Sequence, residues 1–242
     1  MSIKDLSPDD AVLWQWEFAS LNYTILYTWI VMALMVLVSW LATRRLTSRP
    51  QMSRWQNFLE IVIGTINNQI RDVSQQKPER YLPFIGTLFL FIVTSNLLAV
   101  VPGFHAPTAS LSTTAALAIL VLVAVPVYGI AHQGFIGYLR LYVHPTPLML
   151  PFNVIGELSR TLALAVRLFG NMMSGAKIGA ILLAIAPLFF PIVMHALGLL
   201  TGLIQAYIFA ILALVYIGSA TQAHDTRSRL RAEHNTARAE AD

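Results

Sequence analysis

The sequence predicts an all-α integral membrane protein with five transmembrane helices and one amphipathic interfacial helix. Of the 242 residues, 56% are hydrophobic and only 12% are charged, whereas soluble domains carry about 25% charged residues. Several apolar runs reach the roughly 20 residues that a helix needs to cross a bilayer. The Lys and Arg residues cluster in the loops that flank these runs. The net charge of +4 is therefore a mark of topology rather than of nucleic-acid binding.

The N-terminal part is expected to be a polar tail over residues 1–20, followed by the first membrane helix over 21–42. Trp14 and Trp16 would lie at headgroup level, where indole rings are favoured. The first twenty residues contain several acidic side chains and no apolar core after a basic start. They do not resemble a cleavable signal peptide.

The next stretch, residues 54–75, has apolar side chains on one side and polar ones mostly opposite. This pattern predicts an amphipathic helix that lies in the membrane interface or packs half-buried on a partner. Apolar runs at 82–100 and 111–132 are the second and third membrane helices. A short, mildly amphipathic segment at 134–144 precedes a cluster of prolines.

The last two apolar segments, 152–186 and 191–220, are too long for a simple crossing. They correspond to about 50 Å and 45 Å of helix, against about 30 Å of hydrocarbon. With only a short proline-flanked turn between them, they are expected to form a long, strongly tilted hairpin. A cytoplasmic tail follows at 221–242. The loop between the first two membrane helices is rich in arginine and the loop at 101–110 has none, so the N-terminus is predicted outside.

The first helix of this hairpin carries charge at membrane depth, which is a functional-site hypothesis by default. Arg160, Arg167 and Ser174 are seven residues apart and fall within about 40° of one another on a helix. Asn171 lies on the same side and Lys177 lies at its edge. Such a polar strip faces a partner helix or a water-filled cavity rather than lipid.

Two interpretations stay open for Arg160, because it could also reach the interface or pair with Glu157 three residues earlier. Arg167 lies too deep in the run to reach the interface. In the last helix, Gln205 shares a face with small glycines, and a lone amide in an apolar run needs a partner. Arg167 is the natural candidate for that partner. A lone intramembrane histidine such as His195 is more often structural than a ligand.

The sequence contains no pattern typical of a metal site, a cysteine nucleophile or a hydrolase active site. The chain has no cysteine, which excludes thiolate metal sites and cysteine nucleophiles. No His, Asp and Glu cluster has metal-ligand spacing, and no hydrolase motif is present, so no metal or cofactor is expected. His105, His132 and His144 fall at the ends of apolar runs without a carboxylate nearby in sequence.

The hairpin resembles subunit a of the rotary F-type ATP synthase. The resemblance rests on Arg167 within LALAVRLFGNMMSG, on the preceding PFNVIGELSR, and on Gln205 within LIQAYIFAILALVYIGSA. It extends to PFIGTLFLFIVTSNLLAVVPG at 83–103 and covers most of 81–220.

The resemblance implies a non-catalytic stator beside a rotating ring of c subunits, each with a membrane-buried carboxylate. Two offset half-channels would carry ions to and from that carboxylate and couple ion flow to ATP synthesis. The implied setting is a hetero-oligomeric complex with a c-ring and peripheral-stalk b subunits, surrounded by lipid in a bacterial plasma membrane. By resemblance, Arg167 is the stator charge and Gln205 its neighbour. Asn171 and Glu157 match the family's asparagine and acidic residue.

The sequence departs from the family pattern on the outer side. Ala176 and Lys177 stand where the family often has a carboxylate or histidine, and Gly198 stands at a second such position. His195, one turn earlier, would replace the latter. The coupling ion is a proton by family default, with sodium as the alternative.

A second function class is a self-contained secondary transporter with an anion site at Glu157, Arg160 and Arg167. The sequence shows no internal repeat, which argues against the inverted-repeat transporters.

Overall fold

The computed structural model describes residues 12–16, 19–44, 54–74, 78–101, 103–143, 149–185 and 190–239. The described chain is almost entirely helical, which confirms the predicted helical architecture. Six helices follow one another: Tyr23–Thr43 (α1), Arg54–Ser74 (α2), Leu82–Leu98 (α3), Leu111–Val143 (α4), Met149–Ile185 (α5) and Phe190–Ala239 (α6). Short 3₁₀ turns at Pro78–Arg80 and Pro107–Ala109 lead into α3 and α4.

The N-terminal part differs from the expected polar tail, because it contains a small antiparallel β-hairpin. Strand β1 (Val12–Trp16) pairs with strand β2 (Ala19–Asn22) just before α1. Valine and tryptophan favour extended backbone, and β1 has Val12, Trp14 and Trp16 at every second position. The same tryptophans that suggested an interfacial tail therefore also suit a strand.

Three helices are apolar and long enough to cross a membrane. They contain the segments Tyr23–Leu41, Leu111–His132 and Ile192–Thr221, and the shorter Leu82–Leu98 is also apolar. Large hydrophobic side chains on these helices stay exposed, among them Trp29 and Val127. Apolar surface on this scale indicates a hydrocarbon solvent, so the chain is an integral membrane protein.

The core forms around α6, which packs against α3, α4 and α5. Alanines on α6 allow the neighbouring helices to approach closely, and its larger side chains fill the space between them. The most deeply buried residues are Ala206, Phe209, Leu214 and Ile217 on α6, Ile92 on α3, and Leu164 and Leu168 on α5. This packing fixes one side of α5 and leaves its opposite side uncovered.

Two helices run on beyond their predicted ends. Helix α4 kinks at Gly134, where φ is +76°, a conformation that glycine adopts readily. The chain turns back at this kink, so the Tyr138 ring lies against Gly129, where a β-carbon would be 2.6 Å from ring atoms.

Helix α6 continues through the segment predicted as a tail. No glycine or proline follows Gly218, so nothing in the chain stops the helix.

Candidate functional site

The uncovered side of α5 carries a row of polar and small residues. They recur at intervals of three and four, so they share one helix face, and all of them are exposed. This row, the α5 stripe, consists of Arg160, Ala163, Arg167, Gly170, Ser174 and Lys177. The hydrophobic residues on the opposite side of α5 are buried in the core, so the stripe stays exposed, with Arg160 at one end reaching the Tyr216 ring of α6.

Arg167 is an exposed cation in apolar surroundings. Its guanidinium makes no hydrogen bond or ion pair with another described residue. The neighbouring Leu162 and Val166 are 65% and 52% exposed. An arginine that faces lipid at membrane depth is costly, and none of the described side chains neutralises this charge.

Gln205 lies on the other side of the α5–α6 contact. It is only 6% exposed, and its amide nitrogen has no hydrogen-bond partner within the described chain. The expected hydrogen bond with Arg167 is absent between these two described side chains. The two side chains lie in different surroundings, since Gln205 is buried whereas Arg167 is exposed.

The Ser95 hydroxyl on α3 is likewise buried without a partner among the described residues. It lies at about the level of Gln205, because Asn96 on α3 contacts Gly202 on α6 and the two helices run antiparallel. Buried polar groups are almost always satisfied by protein or water. Ser95 and Gln205 therefore both have unused hydrogen-bonding capacity at this level of the described chain.

A cavity of about 330 Å³ opens between the end of α3, the loop before α4, α5 and α6. On α5 it extends from Asn171 to Gly179, which is about 12 Å of helix. Methionines, alanines and glycines provide most of its wall. Its polar lining groups include Asn96, His105, Asn171, His195 and Thr201.

Amide hydrogen bonds join the helices at the end of this cavity that is nearest to Arg167, here called the inner end. Asn171 Nδ2 donates to the Thr201 carbonyl at 3.3 Å, which joins α5 to α6. Asn96 Nδ2 donates to the Gly202 carbonyl at 2.8 Å, and Thr108 donates to Asn96 Oδ1 at 2.8 Å. Arg167 lies four residues from Asn171, so the inner end lies about 6 Å along the helix from the level of the arginine.

The remaining predicted residues lie in different surroundings. Ser174 donates to the Asn171 carbonyl, and Lys177 is not among the lining residues of this cavity. Glu157 is half-buried on α5. The Arg160 guanidinium lies over the Tyr216 ring, 5.6 Å from its centroid, so Arg160 and Glu157 mark a second polar region on the other side of Arg167.

Sequence reasoning missed the contributions of α3 and of the loop that follows it. Asn96 and His105 line the cavity, and Thr108 holds the Asn96 amide, because this loop folds against α5. The sequence signal for this loop is the Thr- and Ser-rich start of α4, and that signal does not indicate which helix the loop contacts. In the described chain, no group of three or more His, Cys, Asp or Glu could hold a metal ion.

Comparisons with known proteins identify the family. The family model described as ATP synthase A chain matches residues 25–218. ATP synthase subunit a 2 of Picosynechococcus is 57% identical over 231 residues, which cover 96% of this chain and 99% of the relative. ATP synthase subunit a 1 of Chlorobaculum parvum is 60% identical over 91% of this chain and 97% of its own length.

A third relative, ATP synthase subunit a of Albidiferax ferrireducens, is 60% identical over 90% of this chain and 94% of its own length. The family model covers α5 and the part of α6 up to residue 218. The chain belongs to the ATP synthase A chain family.

Proposed function

We propose that this chain is the membrane-sector stator subunit of an ATP synthase and that it translocates ions to and from the carboxylates of a rotating c-ring. The observation that carries this proposal is Arg167, a cation on an exposed helix face that has no partner among the described residues and lies one helical turn from the inner end of a cavity. The family match supports this function and gives no support to a self-contained secondary transporter.

The chemistry of Arg167 follows from the cost of charge in lipid. A ring carboxylate must be neutral when it moves through hydrocarbon and must release its ion when it reaches the stator. A nearby guanidinium lowers the pKa of a carboxylic acid by about 1–3 units and so favours the charged, empty form. Arginine suits this role because it does not deprotonate in proteins. The same charge repels cations and prevents direct leakage between the two half-channels.

The two half-channels are assigned to opposite sides of Arg167. The cavity lined by Asn171, His195 and Thr201 would form the outer path. The region around Glu157 and Arg160 would form the inner path. Arg160 is seven residues from Arg167, about 10 Å along α5, and this offset forces an ion to travel with the ring.

We further propose the membrane arrangement that this mechanism needs. Helices α1, α3, α4, α5 and α6 cross the bilayer, with α5 and α6 as the tilted hairpin. The N-terminus lies outside, the C-terminus lies in the bacterial cytoplasm, and α2 lies in the interface near the peripheral-stalk b subunits. The subunit itself catalyses no bond-making step.

The coupling ion is a proton or a sodium ion, and one measurement decides between them. Proton coupling leaves ATP hydrolysis by the complex insensitive to sodium at alkaline pH. Sodium coupling gives stimulation under the same conditions, because sodium then replaces the scarce proton at the ring carboxylate.

Cross-linking tests whether the α5 stripe faces the ring. The chain has no cysteine, so an introduced thiol is unique in this subunit. We expect Ser174→Cys to form a disulfide with a cysteine placed near the carboxylate of the c subunit. The matched control is Val127→Cys on α4, which is also exposed but belongs to another surface. Cross-linking of the control alone would place the ring on the wrong face and contradict the assignment.

A further inference from the structure

The outer cavity has an unusual set of titratable groups. Its titratable lining side chains among the described residues are two histidines, His105 from the loop after α3 and His195 from α6. No described lining residue carries a carboxylate. Any cation that passes through this cavity therefore meets imidazole groups rather than acids.

The loop that carries His105 is fixed at both ends. On one side, the Tyr27 hydroxyl of α1 donates to the Gly103 carbonyl at 3.0 Å. The Tyr27 ring also packs edge-on against Phe104, with centroids 4.8 Å apart. On the other side, Thr108 is fully buried and donates to Asn96. His105 thus has a defined position at the cavity although its own side chain is exposed.

Tyr27 also touches the histidine itself. The two ring centroids are 6.0 Å apart, so one residue of α1 holds both the backbone turn and the imidazole. Gly103 adopts φ +87° there, a conformation that suits glycine. The turn, the aromatic contact and the hydrogen bond together hold the loop against α1, and its 3₁₀ turn contacts α5.

We propose that His105 is a second ion-handling residue of the outer half-channel, acting with His195, and that Tyr27 is its positioning residue. A neutral imidazole offers a lone pair that accepts a proton or binds another cation. Two imidazoles on different elements give the ion successive sites along the cavity wall. Together the two imidazoles take over the role of the carboxylate that is absent at the positions of Ala176 and Gly198. This inference rests on the proposed function and deepens it.

The charged and titratable groups around His105 are few. His195 on α6 and Tyr27 on α1 are the titratable groups that face this region from the described chain, and α3 and the lining part of α5 contribute none. Lys177 on α5 is exposed and lies outside the lining.

Thiol labelling tests whether position 105 lies in a water-filled path. In the assembled complex, His105→Cys should react with a membrane-impermeant, charged thiol reagent added from the outer side, and the reaction should block ion flux. The control is Leu111→Cys, an exposed position at the outer start of α4 that is not among the lining residues of the cavity, where labelling should leave the flux unchanged. Absence of labelling at position 105, or labelling without block, would overturn the proposal.

Substitution separates ion handling from packing. Ion flux driven by a fixed potassium diffusion potential should fall by up to roughly 100-fold in His105→Ala, the lower end of what a positioned proton-transfer group contributes. His105→Gln, which keeps a similar size without a titratable group, should be equally slow, and His105→Glu should recover most of the flux. Equal flux in the Gln and Glu variants would contradict the ion-handling role.

A double substitution tests the positioning role of Tyr27. Tyr27→Phe keeps the aromatic contact but loses the hydrogen bond to Gly103, and it should lower the flux. In a His105→Ala background the same change should have no further effect, because Tyr27 acts through His105. Additive losses would assign Tyr27 a separate structural role.

One reference variant distinguishes failure of this inference from failure of the proposed function. If Arg167→Ala stops coupled transport while His105→Ala has normal flux, only the assignment of His105 is wrong. If Arg167→Ala transports normally, the stator function itself is wrong.

Discussion

Replacing Arg167 with alanine abolishes ion-driven ATP synthesis in the assembled complex. Without the guanidinium, the pKa of the ring carboxylate rises by about 1–3 units. The fraction of empty, charged sites then falls by roughly 10- to 1000-fold, since each pKa unit is a factor of ten. The barrier against direct cation leakage is lost as well. Synthesis is measured in membrane vesicles under an imposed ion gradient, and assembly is verified by the amount of complex that is purified.

Two further variants show whether the charge of Arg167 is what matters. Arg167→Lys should retain only part of the ATP synthesis activity, because a buried ammonium can deprotonate and cannot make a bidentate hydrogen bond. Arg71→Ala removes another exposed arginine, on α2, and should leave synthesis intact. Ion-coupled synthesis at normal rates in assembled Arg167→Ala complexes would refute the proposed mechanism.

Adding one methyl group to α6 should destabilise the subunit at Gly202 but not at Gly198. A β-carbon at Gly202 would lie 3.0 Å from Asn96 Nδ2 and 3.2 Å from its Cγ. The amide would have to move, and its buried hydrogen bonds to Gly202 and Thr108 would weaken, at about 1–3 kcal/mol for a buried group left unsatisfied. At Gly198 no atom lies within 4 Å of the added carbon.

Glycine to alanine otherwise favours a helix by up to about 1 kcal/mol. The two substitutions should therefore shift the thermal unfolding of the detergent-solubilised subunit in opposite directions. Gly202→Val should lower the melting temperature further than Gly202→Ala, because its larger side chain displaces Asn96 completely. Equal melting temperatures for Gly198→Ala and Gly202→Ala would show that the Asn96 contact does not hold α3 against α6.

Site residues that are recognisable from their position along a single helix could be predicted from the sequence. Arg167 was identified because a charge inside a long apolar run is costly, and the spacing of Arg160 and Ser174 placed them on the same face. The helical architecture followed in the same way from run length and composition. These signals are local, and a helical period is sufficient to read them.

Residues that depend on contacts between elements could not be found in that way. Gln205 shows the limit, since its helix face was identified but its separation from Arg167 depends on how α5 and α6 rotate against each other. His105 lies in a loop whose course is decided by Tyr27 and Asn96, 78 and 9 positions away. The β-hairpin was missed because two tryptophans fit an interface and a strand equally well.

Density for the assembled membrane sector at side-chain resolution tests most directly whether Arg167 faces the ring. We expect the α5 stripe to face the ring, with the Arg167 guanidinium at the depth of the c-subunit carboxylate and the His105–His195 cavity open to the outer side. A ring packed against α1 or α4, with Arg167 facing another part of the complex or lipid, would contradict it.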